Sequence, residues 1–272
     1  IAEAYLVLKH IGKFNNQEIG KIFEEYQKGE LSSFLIRITS EIFQEMDDMS
    51  TQSLVDMIKD SAQQKGTGRW TNMEALKQGI DVSMIAAAGN ARLMSNKETR
   101  KTAEEHYPRI KIAKIPNHET LIEDVRKSLY AAKIIAYAQG FDLLKQASTA
   151  YDWNLPLGKI ASIFRAGCII QAKFLNDITR AYEHEKNLSH LLLDEVFEKR
   201  VISYENALRQ IAAQAMLSGI PVPAMANAIS YLDLFTKNHV GANLIQAQRD
   251  YFGAHTFERI DKDGSFHHEW GK

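Results

Sequence analysis

The segment 63–74 contains the residue types that bind anions. Lys65, Gly66, Gly68 and Arg69 fall within five consecutive positions. The two glycines allow the backbone to turn tightly and to approach a ligand closely. The lysine and the arginine supply positive charge beside them.

A helix is predicted directly after this segment, because Thr71 and Glu74 have the spacing of a capping box. The predicted helix runs from Thr71 to Gln78 and ends at Gly79. The start of a helix offers free backbone N–H groups and a positive dipole end, and the hydroxyl of Thr67 adds another donor. The pattern favours a phosphate or carboxylate site, and the alternative is a charged turn between two helices.

Two common phosphate-binding motifs do not fit this segment. A P-loop places its lysine after the glycines, whereas Lys65 precedes them. A dinucleotide fingerprint needs a third glycine, and Trp70 and Thr71 stand where it would come.

Three further basic residues are candidates for the same kind of site. Arg92 stands alone in an apolar helical stretch, either as a second anion ligand or as a surface cation that favours the helix dipole. Arg249 is predicted on the last turn of a helix, and His255 follows just past Gly253. This pair indicates either a second basic site or an ordinary helix C-cap.

Other classes of site find little support among the 272 residues. The single cysteine, Cys168, excludes an internal disulfide and a Cys-rich zinc site, and its apolar surroundings predict a buried residue. No histidine pair has the spacing of a helical zinc site, so we expect no metal. The net charge of −1 gives no reason to expect nucleic acid as a partner. No charge-free apolar run reaches membrane-spanning length and no leader peptide is visible, so we expect a cytoplasmic protein without a membrane partner.

Apolar residues recur at helical spacing along most of the chain, which predicts an all-α fold with long core helices and a polar C-terminal tail. The segment 54–58 is ambiguous, and 109–118 is a predicted loop. Besides 71–78, helices are predicted at 1–10, 17–28 with Asn16 as cap, 34–46, 82–94, 97–107, 119–151, 159–182, 188–193, 195–217, 224–235 and 242–251. Because Ile1 falls in the middle of a helical pattern, we expect that helix to begin upstream and this chain to be the later part of a longer protein.

Five segments, in this order along the chain, resemble signatures of the 6-phosphogluconate dehydrogenase family: 24–38, 65–71, 164–170, 187–194 and 246–258. The resemblance covers essentially the whole chain and corresponds to the C-terminal domain of that family. It implies an all-helical dimerisation and substrate-binding domain over 1–252 and a tail over 253–272 that reaches the partner subunit. The N-terminal Rossmann domain of the family is absent from this chain.

The resemblance also implies roles for individual residues. Lys65, Thr67 and Arg92 match residues that bind the substrate 6-phosphogluconate, and Arg249 and His255 match the pair that the partner subunit contributes. The family's catalytic lysine and glutamate lie upstream of Ile1, so no catalytic residue is expected in this chain.

Cofactor binding is expected mainly outside this chain. NADP is bound mainly by the absent domain, where the residues that select NADP over NAD also lie, and no residue of this chain is assigned to it. The chain departs from the family pattern at Arg69, where lysine is usual, at Gln171, where many members have arginine, and in its short tail.

The resemblance implies that the full-length homodimer oxidises 6-phosphogluconate with NADP and decarboxylates the product to ribulose 5-phosphate, a reaction of the pentose phosphate pathway. The fragment alone is expected to be inactive. Two alternatives stay open at this point: a catalytically inactive helical interaction module of the same fold, and a related β-hydroxyacid dehydrogenase with another substrate.

Overall fold

A computed structural model of the protein describes residues 1–108, 110 and 117–271. The chain folds as two compact units, Ile1–Ser230 and Tyr231–Lys272. The division of roles between 1–252 and 253–272 stays a prediction.

The predicted all-α fold is confirmed. The described ranges hold thirteen α-helices, one 3₁₀ helix and one two-stranded antiparallel sheet, which the sequence patterns did not predict. The helices are α1 Ala2–His10, α2 Asn16–Lys28, α3 Phe34–Ile42, α4 Leu54–Met57, α5 Thr67–Gln78, α6 Ser83–Ser95, α7 Thr99–His106, α8 His118–Ala150, α9 Leu157–Ile163, α10 Leu175–His184, the 3₁₀ helix Leu191–Leu193, α11 Glu195–Leu217, α12 Pro223–Phe235 and α13 Ala242–Gly253, and the strands are β1 Phe257–Glu258 and β2 Ser265–Phe266. None of the described helices combines the length and the apolar character needed to cross a membrane.

Local side-chain chemistry explains the start of α2. The side chain of Asn15 accepts a hydrogen bond from the amide of Glu18 (2.9 Å), and the Glu18 carboxylate accepts one from the amide of Asn15 (2.8 Å). This reciprocal pair is a capping box. The prediction of Asn16 as the cap was wrong by one residue, and Asn16 instead donates to Asp56 at 2.7 Å.

The long helix α8 forms the centre of the first unit and packs along α11. Helical spacing predicted eight apolar positions on this helix. Six of them are buried, and two are half-buried, Ile122 and Leu144. Tyr130 of α8 lies in an aromatic cluster with Phe174 and Phe197, in which Phe174 meets the other two rings edge to face at 5.9 and 6.4 Å. Such contacts add to the stabilisation from buried area.

The predicted helix over 159–182 was wrong, because the chain leaves the helical path between α9 and α10. Gly167 takes a left-handed conformation (φ 68°), and Ala172 pairs with Ser33 in an isolated β-bridge. Ile163 and Ile169 in this segment are 69% and 66% exposed. Cys168 in this segment is half-buried, so its predicted burial in the core was also wrong.

The other predicted helices exist, with differences at their ends. Helix α3 stops four residues before the predicted end, and the predicted helix over 188–193 is reduced to one 3₁₀ turn. Helix α11 begins and ends where the apolar pattern placed it. Most of the predicted loop over 109–118 lies outside the described residues.

A lysine inside the first unit faces an apolar environment. Lys133 on α8 donates to the hydroxyl of Ser33 at 3.1 Å, and its ammonium lies 5.6 Å from the centre of the Phe174 ring. Burial lowers the pKa of Lys133 to about 8, because an ammonium loses hydration there.

We predict that Lys133→Met raises the free energy of unfolding at pH 7 by at most about 3 kcal/mol, since the folded-state pKa lies below the unfolded value near ~10.4. Between these two pKa values the unfolded chain binds more protons than the folded chain, so the stability of the wild type rises with pH. The difference in free energy of unfolding between the variant and the wild type should therefore shrink from pH 8 to 10.5, as measured by urea unfolding. Lys127→Met, on the same helix and 3.5 Å from Glu123, is the control. A difference in free energy of unfolding that stays constant over this pH range would contradict the prediction.

Candidate functional site

The glycine-rich segment forms the first turn of α5, which begins four residues earlier than predicted. Gly66 is the N-cap, with φ 105° and ψ −19°, a left-handed conformation that glycine adopts without steric cost. Inside this helix the hydroxyl of Thr71 donates to the carbonyl of Thr67 at 3.0 Å. The carboxylate of Glu74 accepts hydrogen bonds from side chains elsewhere. The predicted capping box at Thr71 and Glu74 was therefore wrong.

The start of α5 presents several unused donors. None of the described side chains caps its first N–H groups, and a Cβ added to Gly68 would meet no described atom within 4 Å. Lys65, Thr67 and Arg69 are exposed. Within the part of the chain that the structure describes, the two cations have no side-chain hydrogen bond or ion pair. A helix start with free N–H groups and adjacent cations favours an anion.

Arg92 comes close to the start of α5 because α5 and α6 form a helical hairpin. The two helices are joined by a short turn after Gly79, which ends α5 in a left-handed conformation. An apolar cluster that includes Ala75 and Val82 closes the turn. Farther along, a Cβ added to Gly89 on α6 would lie 3.6 Å from the side chain of Asn72 on α5. The last turn of α6, which carries Arg92, therefore lies beside the first turn of α5.

A hydrogen-bond network, which we call the hairpin clamp, joins the end of α6 to the residues before Lys65. The amide of Ala62 donates to the hydroxyl of Ser95 at 3.0 Å, and the hydroxyl of Ser61 donates to the carboxamide oxygen of Asn96 at 2.5 Å. The carboxamide nitrogen of Asn96 donates to the carbonyls of Ala62 and Arg92, both at 2.8 Å. One side chain thus binds the backbone of the turn that carries Arg92 and the backbone that leads to Lys65.

An ion pair extends this attachment. Arg100 donates to the carboxylate of Asp60 at 2.9 Å and to the carbonyl of Ser95 at 2.9 Å. The guanidinium of Arg92 is exposed and has no side-chain partner among the described residues. The clamp therefore uses the neighbours of Lys65 and Arg92 and leaves these two cations free to bind a ligand.

Arg249 and His255 belong to the second unit. Arg249 lies one turn before the end of α13, because the helix continues two residues past its predicted end. Its guanidinium donates to the side chain of Gln246 at 3.2 Å. The imidazole of His255 is exposed and packs edge to face on Phe252, with 5.9 Å between the ring centres.

Sequence reasoning missed one residue of this unit, Asp250, which follows Arg249 directly. Its side chain is fully buried. One carboxylate oxygen accepts from the amide of Thr256 (2.9 Å) and from Nδ1 of His267 (2.8 Å). The other accepts from the amide of His268 (3.1 Å) and from Nε1 of Trp270 (2.8 Å).

Burial of Asp250 raises the pKa of its carboxyl group, but the four donors outweigh burial and hold the pKa below its ordinary value. An aspartate before aromatic residues and a later His-His-Glu-Trp segment is the sequence signal, although spacing alone does not reveal these long-range bonds.

Among the described residues, no group of three or more histidine, cysteine, aspartate or glutamate side chains is arranged to hold a metal ion. The candidate site therefore consists of hydrogen-bond donors and cations.

Comparison with known proteins gives one family. The family model described as "6-phosphogluconate dehydrogenase, C-terminal domain" matches residues 1–270. The NADP(+)-dependent, decarboxylating 6-phosphogluconate dehydrogenase of Bacillus subtilis is 47% identical over 274 residues. A decarboxylating 6-phosphogluconate dehydrogenase of Spinacia oleracea is 43% identical over 278 residues. Each alignment covers 100% of this chain and 58% of the relative.

A solved structure gives the same result. It is the 6-phosphogluconate dehydrogenase of Plasmodium falciparum, studied in its apo form, with its cofactor NADP+ and with its substrate 6-phosphogluconate. The TM-score is 0.95 at 41% identity, over 99% of this chain and 58% of that one. The chain therefore spans somewhat more than half the length of the relatives it matches.

The hairpin clamp leads to a prediction about local order. We expect Asn96→Ala to weaken the attachment of the residues before Lys65 by about 1 kcal/mol, because it removes three exposed hydrogen bonds. The amide of Ala62 should then exchange with deuterium roughly fivefold faster in hydrogen-exchange mass spectrometry. Asn90→Ala, an exposed position on α6, the helix that Asn96 caps, is the matched control. Equal exchange in both variants would show that Asn96 does not hold this segment.

Proposed function

The chain belongs to the 6-phosphogluconate dehydrogenase family, of which it is the C-terminal domain, and we propose that the protein carrying it oxidises and decarboxylates 6-phosphogluconate to ribulose 5-phosphate with NADP. The observation that carries the proposal is the family match over residues 1–270, combined with free cations at the start of α5 and the end of α6. This family match also removes the alternative of a β-hydroxyacid dehydrogenase from another family.

The role of this chain is to bind the substrate phosphate. Lys65, Thr67 and Arg92 bind it from one subunit, and Arg249 and His255 bind it from a second copy. A phosphate loses hydration on binding, and several fixed cations compensate through charge-assisted hydrogen bonds, which arginine can form in pairs. The phosphate is remote from the reacting carbon, so its binding energy orients the substrate and lowers the entropic barrier of the reaction.

A homodimer follows from this assignment. The second unit supports the dimer, because its helix α13 exposes large apolar side chains that water solvates poorly, Leu244 at 62%, Ile245 at 60% and Phe252 at 71%. Clustered exposed apolar side chains of this kind are typical of interaction surfaces. A second copy of the chain is the partner that would cover them.

The residues of this chain do not fit NADP. The described part contains no βαβ unit and no glycine-rich turn between a strand and a helix, which dinucleotide binding in a Rossmann fold requires. NADP, which accepts a hydride, would be bound mainly outside this chain, where the catalytic lysine and glutamate would also lie. We therefore expect no turnover from this chain alone.

No specific observation favours an inactive interaction module, and the relatives quoted above are named as dehydrogenases. We also propose a cytoplasmic location, because a phosphorylated sugar acid is strongly charged and does not cross a membrane unaided.

Arg92→Met in the full-length protein should raise the KM for 6-phosphogluconate. The loss of a charge-assisted contact to phosphate costs about 2–3 kcal/mol, which is roughly 30- to 150-fold. Steady-state rates of NADPH formation provide the measurement. Lys97→Met, an exposed cation just beyond the end of α6, should leave KM unchanged. A KM that stays near the wild-type value in Arg92→Met would exclude Arg92 from the site.

Sharing of the site between subunits can be tested by complementation. Lys65→Ala and His255→Ala each remove one ligand, so each homodimer should lose most of its activity at low substrate concentration. In a hybrid dimer, one site carries both substitutions and the other carries neither, so the hybrid should regain about half of the wild-type activity. If both residues serve the site of their own subunit, every site in the hybrid remains damaged and no activity returns.

A further inference from the structure

In the second unit, one buried carboxylate on α13 binds several residues of the tail. Asp250 is the only described residue that receives hydrogen bonds from both ends of the β1–β2 hairpin: Thr256 precedes β1, and His267, His268 and Trp270 follow β2. All four donors lie within ordinary hydrogen-bond distance. A fully buried carboxylate is stable when its oxygens are satisfied in this way.

His255 lies in a turn that these bonds hold in place. Its neighbours Ala254 and Thr256 both take left-handed conformations, with φ 48° and φ 62°, which cost energy for residues other than glycine. The amide of Ala254 donates to the backbone carbonyl of Asp250, and the amide of Thr256 donates to its carboxylate, each at 2.9 Å. Both flanks of His255 are therefore bonded to one residue.

Arg249 is connected to the same turn through Gln246. The carboxamide oxygen of Gln246 accepts from the guanidinium of Arg249 at 3.2 Å, and its nitrogen donates to the carbonyl of Thr256 at 2.6 Å. If the turn moves, Gln246 loses its partner, and the orientation of Arg249 changes with it.

The position of the imidazole depends on a close contact as well. A Cβ added to Gly253 would lie 2.7 Å from Nε2 of His255, so the ring lies directly over this glycine. Gly253 has a helical conformation, and alanine is therefore compatible with its backbone. An added methyl group would displace the ring and leave the bonds of Asp250 in place.

We propose that Asp250 is a positioning residue for substrate binding: its carboxylate fixes the turn that presents His255 and, through Gln246, the orientation of Arg249 toward the substrate phosphate. The proposal rests on the proposed function and deepens it. Asp250 itself is buried and touches no substrate, so it acts through its neighbours. Asparagine would not replace it, because an amide nitrogen would face N–H donors at one of the two oxygen positions.

The test compares kinetic parameters of the full-length protein for 6-phosphogluconate. Asp250→Asn should raise KM by roughly tenfold or more and change kcat by less than about threefold. The reason is that the substitution weakens contacts to the phosphate, which are made in the ground state and in the transition state alike. Gly253→Ala should raise KM in the same direction. Asp261→Asn, an exposed carboxylate in the same hairpin that pairs with Arg259, should leave KM unchanged.

A double substitution separates positioning from general stability. If Asp250 acts through His255, Asp250→Asn should raise KM much less in a His255→Ala background than in the wild type, since the effects of coupled residues are not additive. The proposal would be overturned if the two substitutions raised KM by independent factors that multiply in the double variant. It would also be overturned if Asp250→Asn lowered the melting temperature and left KM unchanged. If Asp250→Asn does not fold, Trp270→Phe removes a single donor, and its KM should rise severalfold; an unchanged KM there would also overturn the proposal.

The two proposals can fail separately. A wild-type protein that does not turn over 6-phosphogluconate would refute the proposed function, and the positioning role would fall with it. An active wild type whose KM does not respond to these substitutions would refute the positioning role alone.

Discussion

The hydrogen bonds of the hairpin clamp determine where two distant cations lie. Lys65 and Arg92 are far apart in sequence, and like charges repel when they are brought together. Asn96 holds them at one end of the α5–α6 hairpin by binding backbone on both sides. Because the clamp uses backbone groups and neighbouring side chains, both cations stay exposed and available. An anion that binds between them would relieve the repulsion, which is the physical reason for proposing a phosphate site there.

In the second unit, too, neighbouring groups make the internal hydrogen bonds and the basic residues stay exposed. The buried carboxylate of Asp250 accepts four hydrogen bonds and fixes a short turn, while the basic residues next to it remain exposed. Arg249 and His255 are thus presented by a framework in which Asp250 and Gln246 make the bonds. In both units the groups proposed to bind substrate make few internal bonds themselves. Such preorganisation lowers the entropy lost when a ligand binds.

The sequence predicted the helical elements well where burial decides them. Apolar spacing placed α11 correctly and α8 to within one residue at each end, because a long buried stripe is a strong periodic signal. Apolar spacing gave the wrong result where backbone geometry determines the start or end of a helix. Gly66 starts α5 early through a left-handed turn, and the segment after α9 leaves the helix although it is apolar. Residue type and position singled out the candidate cations, and the family resemblance gave them roles. Asp250 could not be found, since its partners are brought to it only by the fold.

A crystal structure of the full-length protein with 6-phosphogluconate tests the central claim most directly. The account predicts the phosphate within about 3 Å of Lys65 and Arg92 of one subunit and of Arg249 and His255 of the other, the distance of charge-assisted hydrogen bonds. A phosphate bound elsewhere, or one bound by Lys65 and Arg92 while Arg249 and His255 of every copy lie far away, would contradict it.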